Sequence, residues 1–213
     1  MTDLFSSPIL RIEQRSSQLD YQISDGHDQV IGRATQVAGP KPRKGFLGMF
    51  GSGLKDARMV VQVSGCDGAP LFYVDYQDGA SAAVVAPDGT VVGRFSDDRL
   101  AVAQEMAVGG AAGMARRALG AAAPVMKHCL VDADDRTVCE LHWRFKPVGD
   151  VEDRRWVPVA CDYTDVNGQR IAQVHVRQAT FKDCYVLQLM YQLPEPLRML
   201  VIASPLAYDL SRS

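Results

Sequence analysis

The stretch PLRMLVIASPLAYDL, residues 196–210, is the most apolar part of the chain and decides how the rest is arranged. As a helix over residues 197–210 it would be about 21 Å long, whereas a membrane span needs about 20 apolar residues and about 30 Å. Apolar side chains occupy nearly its whole circumference, which is typical of a helix enclosed in a protein interior. Pro196 fits the first turn, and Pro205 removes a backbone donor and predicts a kink. The segment therefore predicts a buried plug and no transmembrane span. Its core contacts are expected from Leu197, Leu200, Val201, Ala203 and Leu206.

The chain before this helix reads as about twelve short β-strands separated by turn residues, which is typical of a sandwich or a barrel. Strands of six to nine residues rise about 3.3 Å per residue, so a tilted wall of them would stand about 20 Å tall and match the helix. A closed sheet also leaves no unpaired strand edge. The sequence thus predicts one domain over residues 1–213, mainly β, a closed antiparallel barrel of about 12 strands around the C-terminal helix.

A repeated hairpin layout supports the antiparallel prediction. Four two-residue turns are each followed four positions later by a small residue: His27-Asp28, Asp88-Gly89, Asp134-Asp135 and Asn167-Gly168. Asp-Gly and Asn-Gly suit type I′ turns, and the other two dipeptides match that turn type less well. A two-residue loop at Asn167-Gly168 pairs Tyr163 with Ala172 and Cys161 with Val174. That register makes one face of the hairpin apolar and the other polar, as a half-buried sheet requires.

Four stretches also resemble a known superfamily. They are YQISDGHDQVIG (21–32), VVAPDGTVVGRF (84–95), DCYVLQLMYQL (183–193) and the closing PLRMLVIASPLAYDL with its late Asp209. Together they resemble the superfamily that joins tubby C-terminal domains, phospholipid scramblases and plant LURP-one-related proteins, over nearly the whole chain. The resemblance implies a twelve-stranded barrel around a central apolar helix. It also implies a lipid connection, since tubby domains bind phosphoinositide headgroups through Lys and Arg; the Ala, Gly, Val, Asp and Arg bias of this chain suggests a bacterial member.

Residues 39–58, GPKPRKGFLGMFGSGLKDAR, interrupt the series of hairpins. The segment is rich in Gly and carries cationic side chains together with aromatic ones. Basic groups attract anionic headgroups, and aromatic side chains can insert at a membrane interface. The predicted ligand-binding residues are Lys41, Arg43, Lys44, Phe46, Phe50, Lys55 and Arg58. The alternative is a solvated loop whose apolar side chains fold back onto the barrel rim.

Residues 100–126 are rich in Ala and Gly and predict a helical insertion near 100–124 that links the two halves of the barrel. The weak hydrophobicity and the charges of Glu105, Arg116 and Arg117 argue against a membrane span. This segment carries an alternative function, a protein-interaction scaffold. Scramblase-like lipid transfer is a further alternative, which would require insertion into a bilayer.

The remaining motifs limit the chemistry. The sequence has no nucleophile elbow, phosphate-binding loop or dinucleotide-binding motif, so we expect neither enzyme activity nor a cofactor. His128 and His142 face opposite sides of their sheet, and DYTDVNGQ (162–169) matches a calcium loop less well than a hairpin turn, so no metal site is expected. The net charge of −2 provides no global attraction for nucleic acid. The odd number of cysteines, with no C-x-x-C pair, and the lack of a signal-peptide pattern predict a cytoplasmic protein, peripheral to a membrane if residues 39–58 bind lipid.

Overall fold

Antiparallel strands with alternating buried and exposed residues make up most of the protein. The computed structural model describes residues 3–16, 19–40, 58–97, 126–149, 155–178 and 183–212. The elements are β1 (Ile9–Gln14), β2 (Asp20–Ser24), β3 (Val30–Ala38), β4 (Arg58–Gly65), β5 (Pro70–Gln77), β6 (Ala82–Val85), β7 (Val91–Asp97), β8 (Lys127–Asp132), β9 (Thr137–Val148), β10 (Arg155–Asp165), β11 (Arg170–Gln178), β12 (Asp183–Leu189) and α1 (Leu197–Ser211). The predicted helical insertion near 100–124 lies outside the described residues.

The twelve strands form a closed barrel in which each strand pairs with its neighbours in sequence and β1 closes the ring against β12. Every pairing is antiparallel. Closure leaves no strand edge without a partner, so the sheet needs no further cover along its length. The predicted fold class, a closed antiparallel barrel around a C-terminal helix, is confirmed.

The barrel interior is filled by inward side chains and by α1. Burial alternates along the strands, for example in β1, where Leu10 and Ile12 are fully buried between half-buried neighbours. In α1 every residue from Leu200 to Leu210 is buried, and the helix packs against β5, β6, β7 and β8. Of the five residues predicted to form the plug, Leu200, Val201, Ala203 and Leu206 are at most 1% exposed, and Leu197 is partly buried at the first turn.

A serine compensates for the proline inside α1. Pro205 has no N–H to give to the carbonyl of Val201, four residues earlier. The hydroxyl of Ser204 donates to that carbonyl oxygen at 2.7 Å. Because this proton is used, the Tyr163 hydroxyl donates in turn to Ser204 Oγ at 2.8 Å. The helix therefore continues through Pro205 with its buried polar groups paired.

Five hairpins share one turn geometry, and it differs from the predicted type I′. In each turn, the carbonyl oxygen of the first residue accepts the N–H of the residue three positions later, and the N–H of the first residue donates to the carbonyl oxygen of the residue four positions later. The turns begin at Asp25, Gly65, Ala86, Asp132 and Asp165. One residue per turn has positive φ, for example Asp28 at 60° and Gly168 at 80°. These are type I turns followed by a G1 bulge, whereas type I′ needs two positive φ values, so that prediction was wrong.

The predicted pairing of the Asn167-Gly168 hairpin survives this change of turn. Tyr163 pairs with Ala172 and Cys161 pairs with Val174, with a register shift next to the turn that absorbs the extra residue. At Gly93, close packing requires the small residue of the repeat. A Cβ at Gly93 would overlap the Val131 carbonyl oxygen and lie 2.9 Å from the Leu200 side chain of α1.

The two ends of the barrel differ. At one end, the turn end, the five tight hairpins join even strands to odd strands. At the other end, the loop end, odd strands finish and even strands begin, and the connections include residues 41–57 and 98–125. The C-terminus of α1 lies at the loop end, because Asp209 contacts Tyr21 and Tyr185 near the starts of β2 and β12. The connection from β3 to β4, which contains most of the predicted ligand-binding residues, also joins its strands at the loop end.

Candidate functional site

The basic and apolar segment predicted to bind a ligand connects β3 to β4 at the loop end. Six of its seven predicted residues, Lys41, Arg43, Lys44, Phe46, Phe50 and Lys55, lie outside the described residues. Arg58 is the first residue of β4, and its guanidinium pairs with the Asp75 carboxylate of β5 through Nε–Oδ1 at 2.8 Å and Nη2–Oδ2 at 2.5 Å. This fork-shaped pair uses the charge of Arg58 to join two neighbouring strands.

A second basic surface, not found from the sequence, lies on the outer face of β9, β10 and β11 near the loop end. We call it the basic face and define it as Lys146, Arg155 and Arg177. All three are exposed, and no ion pair joins any of them to another residue in the part of the chain that the structure describes. The intervening sequence DVEDR, residues 150–154, adds three carboxylates next to them along the chain.

A cavity of about 780 Å³ opens at the loop end between β5, β6, β7, β8 and the C-terminus of α1. Apolar side chains cover part of its wall, among them Tyr76, Ala82 and Phe95. Polar groups cover the rest and include Asp97, His128, Arg212 and the serines Ser81, Ser96 and Ser211. Its size is in the range of small-molecule pockets, and few such pockets occur in one protein.

His128 is the most deeply buried polar side chain in the cavity wall, with 5% of its side chain exposed. Its ring stacks on Phe95 with centroids 4.8 Å apart, and its Nε2 lies 3.2 Å from Oδ1 of Asp97. Burial lowers the pKa of His128 below its usual 6.5, and the negative charge of Asp97 only partly opposes this. The neutral ring therefore keeps its proton on Nε2, toward Asp97, and Nδ1 is an acceptor. No hydrogen-bond partner for Nδ1 is found among the described residues.

Further aromatic side chains hold the His128 ring from the barrel interior. Trp143 and Tyr208 stack on each other with ring centroids 3.9 Å apart. Both rings form edge-type contacts with the His128 ring, with an interplanar angle of 75° for Trp143 and 90° for Tyr208. The guanidinium carbon of Arg212 lies 5.3 Å from the centroid of the Tyr208 ring, as in a cation–π contact. Burial raises the pKa of Tyr208 to about 12. The cluster thus fixes the histidine ring in one orientation without hydrogen-bonding its Nδ1.

Asp209 joins the end of α1 to the barrel wall. It is 3% exposed, and the hydroxyls of Tyr21 and Tyr185 donate to its two carboxylate oxygens, the second at 3.1 Å. Burial and then the charge of Asp209 raise the pKa of both tyrosines well above 10.0, so both keep the protons that they donate. These contacts hold the last turn of α1 against β2 and β12.

Metal binding and thiol chemistry have little support in the described residues. No group of three His, Cys, Asp or Glu side chains among them could hold a metal ion. In the calcium-like stretch 162–169, Oδ1 of Asp165 accepts the backbone N–H groups of Asn167 and Gln169 within its own turn. Burial raises the pKa of the Cys139 thiol to about 12 and that of Cys161 well above 9.0, which keeps both protonated and unreactive.

In the part of the chain that the structure describes, no helix combines the length and the apolarity that crossing a membrane would require.

Comparisons with known proteins add little. No family model matches the chain, and no curated protein matches it. A solved structure of a protein from Arabidopsis thaliana is similar, with a TM-score of 0.47 and 11% sequence identity, over 98% of this chain and 95% of that chain.

The buried His128 predicts that the protein loses stability in mild acid. Unfolded, its imidazole binds a proton near pH 6.5, whereas the folded protein resists protonation to lower pH. The stability that the folded protein gains by keeping His128 neutral is therefore complete above pH 6.5. It is lost as the pH falls toward the lower pKa of the folded state, by at most about 1.4 kcal/mol per pH unit. His128→Phe keeps an aromatic ring and should flatten this slope in urea unfolding measured at neutral and at mildly acidic pH.

His175→Gln is the matched control, because His175 is exposed on the wet face of β11. The charged groups that line the same cavity as His128 are Asp97 of β7 and Arg212 after α1. An equal slope in the wild type and in His128→Phe would contradict the prediction.

Proposed function

We propose that this protein is a non-catalytic binding module that attaches to anionic lipid headgroups, phosphoinositides included, through the loop end of its barrel. The observation that carries the proposal is that β3 ends and β4 begins at the loop end, the same end at which the basic face is exposed. The basic and apolar segment 41–57 joins these two strands in sequence. Each cation near an anionic membrane contributes about 1 kcal/mol.

The arrangement of the cations favours a flat partner. In the closed barrel β3 and β4 lie on the opposite side from β9 and β10. A planar membrane surface placed against the loop end can reach both sides at once, whereas a small soluble anion can reach one. The resemblance to tubby domains and scramblases supports the same reading, since lipid is the shared partner of those proteins.

The two alternative functions have less support. A scaffold that uses residues 100–126 depends on a segment outside the described residues. Scramblase-like lipid transfer would require α1 to leave an interior in which Leu200 to Leu210 are all buried.

Vesicle co-sedimentation tests the proposal on the full chain. We expect phosphatidylcholine vesicles that contain phosphatidylserine or a phosphoinositide to retain the protein, and pure phosphatidylcholine vesicles not to retain it. Combined substitution of Lys41, Arg43 and Lys44 by Ala should weaken retention by about 10- to 100-fold, as should combined Ala substitution of the basic face. The phosphoinositide and phosphatidylserine arms separate headgroup recognition from general charge attraction.

The control removes the same charge from the other end. Arg33 and Arg170 are cations on the turn-end halves of β3 and β11, and Arg136 lies in the turn just before β9. Their Ala substitution should leave retention unchanged. Absence of wild-type retention on every anionic vesicle, or an equal loss in the turn-end variant, would refute lipid binding through the loop end.

A further inference from the structure

We propose that the loop-end cavity binds a small zwitterion, a molecule that carries an ammonium group and a carboxylate group at the two ends of a short apolar body. Asp97 binds the ammonium group, and Arg212 binds the carboxylate group. The site does not rest on the lipid-binding function proposed above, because its ligand is soluble and it uses none of the cations assigned to the membrane.

Asp97 and Arg212 provide two opposite charges that line one cavity and do not pair with each other. Both residues lie in the part of the chain that the structure describes, and no ion pair joins them there. The Asp97 side chain is 63% exposed, and Arg212 is exposed as well, so a ligand can reach both charged groups. A carboxylate suits the planar guanidinium of an arginine, and an ammonium group suits the carboxylate of an aspartate.

Two rings lie between these charged groups and set the kind of zwitterion that fits. Oδ1 of Asp97 lies 3.2 Å from Nε2 of His128, whose ring centroid is 5.9 Å from that of Tyr208. The guanidinium carbon of Arg212 lies 5.3 Å from the centroid of the Tyr208 ring. The two charges are thus at opposite ends of a row of contacts. We therefore expect a ligand whose own charges are separated by a short chain, and not one that carries both on the same carbon atom.

The rest of the cavity fits the apolar body of such a ligand. Tyr76, Ala82, Phe95 and Met126 contribute apolar side chains to the wall. The volume of about 780 Å³ accommodates a molecule of ordinary metabolite size. An uncharged ligand would displace water from both charged groups without replacing its hydrogen bonds, which is costly. A ligand with a single charge would leave one of the two groups in that condition.

Three matched probes, added to the full chain without lipid, test the proposal. ε-Aminocaproate carries both charges, caproate lacks the ammonium group, and hexylamine lacks the carboxylate group. We expect ε-aminocaproate to shift the amide NMR signals of Ala82 and Phe95. It should also bind about three- to tenfold more tightly than either of the other probes, because it makes both charge-assisted contacts.

Two variants remove one charge each from the cavity wall. Asp97→Asn keeps an oxygen that can accept from Nε2 of His128, and it should lower the affinity for ε-aminocaproate to that for caproate. Arg212→Gln should lower it to that for hexylamine. Asp134→Asn makes the first of these changes at a turn-end carboxylate that is 70% exposed, so it is the matched control and should keep the wild-type preference.

The proposal is overturned if no probe shifts the signals of the cavity residues, or if ε-aminocaproate binds no more tightly than the probes with one charge. It is also overturned if either cavity variant keeps the wild-type preference, or if Asp134→Asn loses it. Vesicle retention is measured separately, so failure of the cavity site and failure of lipid binding are distinguishable.

Discussion

We expect Val201→Asp to abolish cooperative folding. Val201 lies in the middle of α1 and is fully buried inside the barrel. An uncompensated charge there would cost about 3–5 kcal/mol in addition to the lost apolar contacts, against a total stability of about 5–15 kcal/mol. Circular dichroism during thermal unfolding should show no cooperative transition, and soluble expression should fall.

Matched variants keep this prediction informative even if the protein does not express. Val166→Asp makes the same chemical change at a turn position that is 69% exposed, and it should unfold like the wild type. Val201→Ala removes two methyl groups without adding a charge, and it should fold with a loss of about 2 kcal/mol. A Val201→Asp protein as stable as Val166→Asp would show that α1 is not enclosed by the barrel.

The barrel and its plug could be predicted because both depend on patterns of many residues. Because residues 197–210 are apolar around the whole helix circumference, every side of the helix has to be buried. A closed sheet around the helix buries all of these sides at once. The turn type could not be predicted from Asn167-Gly168 alone. A glycine with positive φ suits both a type I′ turn and a G1 bulge, and the geometry that forms has the Asp165 carboxylate accepting two backbone N–H groups.

The candidate site was less predictable because it is assembled from distant parts of the chain. The sequence places His128 on the dry face of β8 with Leu130, but its environment comes from Phe95 on β7, Trp143 on β9 and Tyr208 on α1. No local pattern specifies those contacts. The basic face was easier to find in principle, since the alternation of β9 already places Lys146 on the outer side, opposite the buried face.

Asp209 is a buried carboxylate at an electrostatically unfavourable end of α1, and its hydrogen bonds offset that cost. It lies in the last turn of α1, where the negative end of the helix dipole disfavours a carboxylate, and it is 3% exposed. Tyr21 and Tyr185 offset this cost by donating to both of its oxygens. The two tyrosines come from the strands on either side of β1 in the closed ring, so their hydrogen bonds to Asp209 tie the end of α1 to both strands.

We expect Asp209→Ala to lower the free energy of unfolding by about 3 kcal/mol, because two buried hydroxyls lose their acceptor and each costs about 1–3 kcal/mol, partly offset by removal of the buried charge. The midpoint of thermal unfolding should fall by about 6–12 °C. Asp134→Ala, at a carboxylate that is 70% exposed, is the control and should change stability by less than about 0.5 kcal/mol. Asp209→Leu should be much less costly in a chain that also carries Tyr21→Phe and Tyr185→Phe, since all three polar groups then disappear together. If the cost of Asp209→Leu is the same with and without the tyrosine hydroxyls, the three side chains do not form one network.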